Sequence, residues 1–173
     1  MIWSLSGWFL KRKRPVEYRS GIGFDVHAFA SGRKLILGGV EVEYHLGLAG
    51  HSDADVLVHA IIDALLGAAG LGDIGVHFPD TDQKFKDIDS LILLAETRTK
   101  IDAAGWKIGN VDATVIAQRP RLAGYINAMK KRLAVVLGVE EGRINIKATT
   151  TEKLGFTGRE EGIAALATAL LNR

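Results

Sequence analysis

The sequence predicts a single α/β domain of the α+β kind, in which a mixed sheet is packed by helices. The chain has 173 residues, 47% of them hydrophobic, which is enough for one substantial core and too few for two ordinary domains. From Ser20 onward, strand-like and helix-like patterns alternate. No Pro- or Ser-rich linker, internal repeat or low-complexity segment separates them.

Residues 21–29 read as a strand running into a loop, and 33–42 as a strand pair bent at Gly38 and Gly39. Residues 53–69 form a strongly apolar helix that ends at Gly70. A second helix is expected over 90–104, closed by Gly105, followed by a strand over 110–117 that Pro120 terminates. Residues 125–137 read as a helix with Gly138 as its C-cap, and 143–149 alternate as a strand. The last element, 159–171, reads as a helix behind a capping box of Thr157 and Glu160.

Residues 1–20 read as a tail, disordered or left from cloning, ahead of a domain spanning 21–173. The apolar Ile2, Trp3, Leu5, Trp8, Phe9 and Leu10 precede the basic run of Lys11, Arg12, Lys13 and Arg14, the reverse of a signal peptide's order. The apolar stretch is about half the roughly 20 residues that span a bilayer, so a membrane partner is not expected. The alternative is an anchor, targeting or interaction element. The tail holds five basic residues and one acid; with a net charge of +2 overall, the rest of the chain sits at −2. That balance gives no electrostatic case for nucleic acid as a partner.

The chain has no cysteine, so any metal must be held by His, Asp and Glu. That fits a reducing compartment, and cytoplasm is the expected location, with a plastid as the alternative. Asp25 and His27 lie two apart in an extended segment, so their side chains leave the same face. On the apolar helix that follows, the polar stripe is Asp55, His59 and Asp63, spaced four apart. Buried titratable groups need a metal or each other as partners. One reading is an internal Asp–His–Asp hydrogen-bond chain. The other joins His59 to Asp25 and His27, giving three ligands with a vacant fourth position, the pattern of a catalytic zinc. Asp55 or Asp63 would then orient a ligand histidine. Just before the helix, Ser52 or Asp53 is the expected N-cap; free N–H groups there, with His51 and the Ser52 hydroxyl, could receive a phosphate.

Five segments occur in order: Gly23-Phe24-Asp25-Val26-His27-Ala28-Phe29; His51-Ser52-Asp53-Ala54-Asp55-Val56; Leu71-Gly72-Asp73-Ile74-Gly75 with Phe78-Pro79-Asp80-Thr81-Asp82; Ile116-Ala117-Gln118-Arg119-Pro120-Arg121; and 147–159, which includes Thr149-Thr150-Thr151-Glu152. Together they resemble the 2-C-methyl-D-erythritol 2,4-cyclodiphosphate synthase family over essentially all of 21–173. The resemblance implies a homotrimer with active sites at subunit interfaces. It also implies the conversion of 4-diphosphocytidyl-2-C-methyl-D-erythritol 2-phosphate to the 2,4-cyclodiphosphate with release of CMP, by in-line attack of the 2-phosphate on the β-phosphate. By resemblance, Asp25, His27 and His59 hold zinc, Glu152 holds a second ion, magnesium or manganese, and His51 and Thr150 stabilise the transition state. Asp25, Val26, His27, His51 and Ser52 contact the substrate. Asp73, Ile74, Gly75, Phe78, Pro79, Asp80, Thr81 and Asp82 hold its methylerythritol phosphate part. Ala117, Gln118, Arg119, Pro120, Arg121, Leu122 and Ala123 form a cytidine loop contributed by a neighbouring subunit, while Thr149, Thr150, Thr151, Glu152, Phe156 and Arg159 complete the site.

The chain departs from the family's pattern at Ala54, where Gly is usual, at Arg121, where Lys is usual, and at Gly124, where Pro is usual. It departs again at Gln83 and over Lys86, Asp87, Ile88 and Asp89. Two other functions fit a similar ligand set: a metal-dependent phosphohydrolase that would release a linear product, and a non-catalytic nucleotide- or isoprenoid-binding trimer.

Overall fold

Thirteen residues of alternating exposure, Tyr18–Ala30, form β1, the strand on which the site is built. The computed structural model describes residues 15–173; most of the expected tail, with its apolar and basic residues, lies outside them. β1 starts at Tyr18 rather than at 21, because its first residues pair with the end of the chain, Tyr18 opposite Asn172. A short antiparallel pair follows, β2 (Leu35–Leu37) and β3 (Val40–Val42), bent at Gly38 and Gly39 as expected. β4 (Gly47–Leu48) then returns beside β1. Helix α1 (Val56–Ala69) ends at Gly70 in the left-handed conformation, and α2 (Ile74–His77) is one short turn. α3 (Ser90–Ala103), β5 (Lys107–Ile116), α4 (Ile126–Leu137) and β6 (Ile144–Thr149) lie within a few residues of the expected spans. The brief α5 (Gly155–Gly158) leads into β7 (Gly162–Asn172).

The five-stranded sheet has the order β4-β1-β7-β5-β6, with β5 and β6 parallel and the other pairs antiparallel, a mixed sheet packed by helices. β7 corrects the expected terminal helix. Its Ala- and Leu-rich sequence has high helix propensity, but pairing on both sides, with β1 and β5, overrides that preference. Ile163, Ala165, Ala167, Ala169 and Leu171 are buried on one face, while Leu166 and Thr168 are exposed on the other, a period of two. The capping box also fails: Glu160 takes a positive φ, and the Thr157 hydroxyl pairs with that of Thr151 at 2.9 Å.

Small residues let α1 sit close on this sheet. A side chain at Gly23 would put its Cβ 2.0 Å from the Ala60 carbonyl oxygen, and one at Gly21 would come 2.1 Å from that of Ala64. Gly21, Gly23, Asp25 and His27 share one face of β1, so the contact that the glycines allow also brings the two polar residues to α1. Gly23→Ala is therefore expected to destabilise the fold by about 3 kcal/mol, because backbone must move; urea unfolding checks this, and an unchanged midpoint would contradict it.

The N-cap of α1 is Asp55, in place of the expected Ser52 or Asp53. Its carboxylate is fully buried and accepts hydrogen bonds from Val58 N (3.1 Å), Gly38 N (2.9 Å) and Gly39 N (2.7 Å), tying the β2–β3 turn to the helix start. Burial, reinforced by the charge of Asp53, pushes the Asp55 carboxyl up to about 6 against those bonds. Ala54 just ahead has φ 60°, which costs an L-residue about 1 kcal/mol or more and which the glycine usual in the resembled family adopts freely. Among the described residues, no helix is long and apolar enough to cross a membrane.

Candidate functional site

Asp25 and His27 leave β1 towards His59 on α1, and the three meet at hydrogen-bond distance. Asp25 Oδ2 lies 2.9 Å from His27 Nε2 and 3.0 Å from His59 Nδ1, and the two ring nitrogens are 3.2 Å apart. Two imidazoles and one carboxylate, each offering an atom within 4.8 Å of the others, form a donor set that suits zinc. They are the one group of this kind among the described residues. His27 is pre-oriented for such a role: its Nδ1 donates to the Ala49 carbonyl at 2.6 Å, which turns Nε2 inward.

The other members of the α1 stripe point elsewhere. Asp55 caps the helix, and Asp63 accepts from Ile74 N at 2.8 Å, so neither orients His59 and no Asp–His–Asp chain forms. The helix start also differs from a free phosphate cradle. Several N–H groups there are already engaged: Ala54 N by Ser52 Oγ, Asp55 N by Asp53 and, in the first turn of α1, Val58 N by Asp55. His51 and Ser52 offer side-chain donors to an anion there. Arg33 fixes that segment by donating to the Gly50 carbonyl (2.9 Å) and to the Ser52 carbonyl.

These groups open onto a pocket of about 460 Å³ lined by Asp25, His27, His51, Ser52, His59, Ile74, Gly75, Phe78, Pro79 and Asp80, with Phe85 and Leu93 behind. Val26 points to the opposite face of the sheet and is exposed. Asp73 caps α2, and Asp82 caps the turn Gln83–Phe85, its carbonyl 3.4 Å from His51 Nε2. Thr81 next to it is exposed. A second pocket, of about 400 Å³, gathers Ala117, Gln118, Pro120, Arg121, Leu122, Ala123, Thr149 and Thr150, with exposed Arg119 in the same loop. It lies at the ends of β5 and β6, which are two and three strand spacings, or about 10 and 14 Å, across the sheet from β1. Thr150 donates to Glu152 at 2.6 Å, Thr151 to the Leu154 carbonyl at 2.6 Å, and exposed Arg159 pairs with Glu161 at 2.7 Å. Phe156 is exposed beside them. One chain thus brings the expected zinc ligands together with His51, Ser52 and the 74–80 segment, and keeps the expected cytidine loop and Glu152 apart from them.

Sequence reasoning missed the groups behind His59. Its Nε2 lies 3.0 Å from Ser90 Oγ, and Ser90 in turn donates to Asp53. Ser90 was legible only as a helix start and Asp53 only as a cap; their meeting is a product of tertiary packing.

Burial opposes ionisation of Asp25, but hydrogen bonds from His27 and His59 overcome it and hold the carboxyl well below the usual carboxylate range. Burial likewise disfavours charge on His27, yet the Asp25 hydrogen bond and charge raise it above 6.5. Below that raised value the metal-free pair holds a proton that an incoming cation must displace. Metal affinity is expected to be level above the raised His27 value and to fall about tenfold per pH unit below it for each proton displaced. Chelator-competition titrations at several pH values check this, and a level profile down through pH 6 would contradict it.

The model of the YgbB family matches residues 18–172. The 2-C-methyl-D-erythritol 2,4-cyclodiphosphate synthase of Listeria monocytogenes is 58% identical over 155 residues, covering 90% of this chain and 99% of that protein. A bifunctional enzyme IspD/IspF of Albidiferax ferrireducens is 56% identical over 163 residues. There the match covers 94% of this chain and only 39% of the relative's length. Among solved structures, the CDP complex of IspF from Plasmodium falciparum superimposes with a TM-score of 0.79 at 36% identity, covering 89% of this chain and 95% of that one.

Proposed function

Because this chain belongs to the YgbB family, that of the 2-C-methyl-D-erythritol 2,4-cyclodiphosphate synthases, we propose that Asp25, His27 and His59 are the metal centre at which its cyclisation takes place. The activity is that of a lyase of the non-mevalonate route to isoprenoid precursors. It converts 4-diphosphocytidyl-2-C-methyl-D-erythritol 2-phosphate to the 2,4-cyclodiphosphate and CMP. The observation that carries the site reading is the convergence of two imidazoles and a carboxylate on the wall of a pocket that His51 and Ser52 also line.

A 2-phosphate oxygen of the substrate attacks the β-phosphorus; the bond from that phosphorus to the oxygen bridging it to the α-phosphate breaks, and CMP leaves with that oxygen. The attacking oxygen is already anionic, so no Ser or Cys nucleophile is needed. The obstacle is repulsion among phosphates, about 4 kcal/mol for two like charges 4 Å apart at an effective dielectric near 20. Zinc, when bound by Asp25, His27 and His59, supplies Lewis-acid polarisation of the diphosphate. His51 and Ser52 donate hydrogen bonds to the β-phosphate as charge develops, and Ile74, Gly75, Phe78, Pro79 and Asp80 enclose the methylerythritol part with Asp73, Thr81 and Asp82 at the rim. Residues 117–123 hold the cytidine. Thr150 stabilises the transition state, and Glu152 binds magnesium or manganese.

The separation of the two pockets across the sheet supports a trimer in which the 117–123 and 149–152 segments of one subunit complete the metal pocket of the next. We place the enzyme in the cytoplasm. The reading is tested by incubating the protein with its substrate and magnesium or manganese and following phosphorus NMR. CMP and a cyclic diphosphate should appear in equal amounts; a linear diphosphate would make the protein a hydrolase, and no turnover by metal-loaded protein would make it a binding module.

A further inference from the structure

We propose that Ser90, backed by Asp53, is a positioning residue for His59: it accepts a hydrogen bond from Nε2–H, so that when a cation displaces the Nδ1 proton shared with Asp25, Nδ1 presents its lone pair to the point where Asp25 and His27 converge. The proposal rests on reading those three residues as a metal centre. An imidazole that binds a cation presents a lone pair on one nitrogen and carries its proton on the other, and the partner of the second nitrogen decides which is which.

For His59, the inward nitrogen is Nδ1, 3.0 Å from Asp25 Oδ2. The outward Nε2 has two hydroxyls beside it, Ser90 Oγ at 3.0 Å and Ser52 Oγ at 3.2 Å. A hydroxyl has a single proton, and that of Ser90 is committed. It goes to Asp53 Oδ1, while Ser90 N donates to Asp53 Oδ2 at 3.1 Å. Asp53 Oδ1 also accepts from Asp55 N at 3.2 Å, so the carboxylate faces donors on both oxygens. With its proton given away, Ser90 Oγ accepts from Nε2–H.

Ser90 is fully buried, so water does not compete for this bond. Ser52 Oγ, which accepts from Ala54 N at 3.1 Å and lies 3.4 Å from Ser90 Oγ, keeps a proton to give elsewhere. His27 is set in the opposite sense, with Nδ1–H on the Ala49 carbonyl and Nε2 inward. The two histidines thus present different nitrogens to one point, each fixed from behind by a different kind of acceptor. Ser90 begins α3 and Asp53 precedes α1, so the same bonds join the loop before α1 to the start of α3.

The test compares wild type, Ser90→Ala and Asp53→Asn. Zinc affinity is measured by chelator competition, and the His59 Nε2–H of the zinc-loaded protein is followed by proton–nitrogen NMR; circular dichroism of the metal-free proteins checks the fold. Both variants are expected to bind zinc about 10- to 100-fold more weakly. The Nε2–H resonance, slowly exchanging in wild type, should exchange too fast to observe. If Ser90→Ala does not fold, Asp53→Asn carries both readouts. Affinities within roughly twofold of wild type, with the resonance retained, would overturn the proposal alone. Wild-type protein that takes up no zinc would overturn the metal centre and this proposal with it.

Discussion

His59→Ala is expected to lower kcat on the order of a thousandfold, more than any other single substitution in the pocket that holds Asp25 and His27. His59 contributes one of three converging donor atoms, and its loss leaves only Asp25 and His27, 2.9 Å apart, to hold a cation. Their mutual pairing survives in the variant, so they gain a stable metal-free arrangement just as the site loses a ligand. Most of the loss should fall on kcat, because the cation's contribution grows as charge develops on the diphosphate, while the pocket wall formed by Ile74, Phe78 and Pro79 still binds the substrate. Steady-state kinetics at saturating metal check this. A variant with near wild-type kcat would remove His59 from the reaction.

Asp55→Ala is expected to destabilise the fold by about 4 kcal/mol, from buried N–H groups left unpaired at about 1–3 kcal/mol each. Those N–H groups belong to Val58, Gly38 and Gly39, in two elements that this carboxylate joins at the helix start. Asp55→Asn should recover part of the loss, since one amide oxygen can replace one carboxylate oxygen while the amide nitrogen faces a donor. Against a typical total of about 5–15 kcal/mol, the Ala variant loses a large share of its stability. Urea unfolding of both variants measures the difference; a loss below about 1 kcal/mol in Asp55→Ala would show that water satisfies the freed groups.

Much of this architecture was legible in the residue pattern because local rules and tertiary context agree there. α1 is apolar around most of its circumference and ends at Gly70, and the alternation in β6 matches its pairing with β5. β7 reads as a helix because the buried alanines on a strand that packs against α1 also have the highest helix propensity, so packing and local preference point in opposite directions. Its period of two is present at Ile163, Ala165, Ala167, Ala169 and Leu171, but Ala contrasts too weakly with its neighbours to announce a face.

The metal cluster was legible for a different reason. Asp25 and His27 share a strand face by parity, and His59 is the imidazole in the polar stripe of a buried helix. Asp55 and Asp63 stand in the same stripe, and the pattern could not assign them. Their partners, the Gly38–Gly39 turn and Ile74 N, come from segments whose approach to α1 is set by the whole fold. The Asp53–Ser90 pair was hidden likewise, being separated by 37 positions.

The diphosphate is expected to bind at a cation held by Asp25, His27 and His59. Diffraction at the zinc absorption edge, from crystals grown with zinc and CDP, tests it most directly. The expected result is an anomalous peak in contact with Asp25, His27 Nε2 and His59 Nδ1, with a phosphate oxygen beside it and the cytidine against residues 117–123. A diphosphate bound away from that peak, or zinc bound elsewhere, would rule out Asp25, His27 and His59 as the metal centre of the reaction.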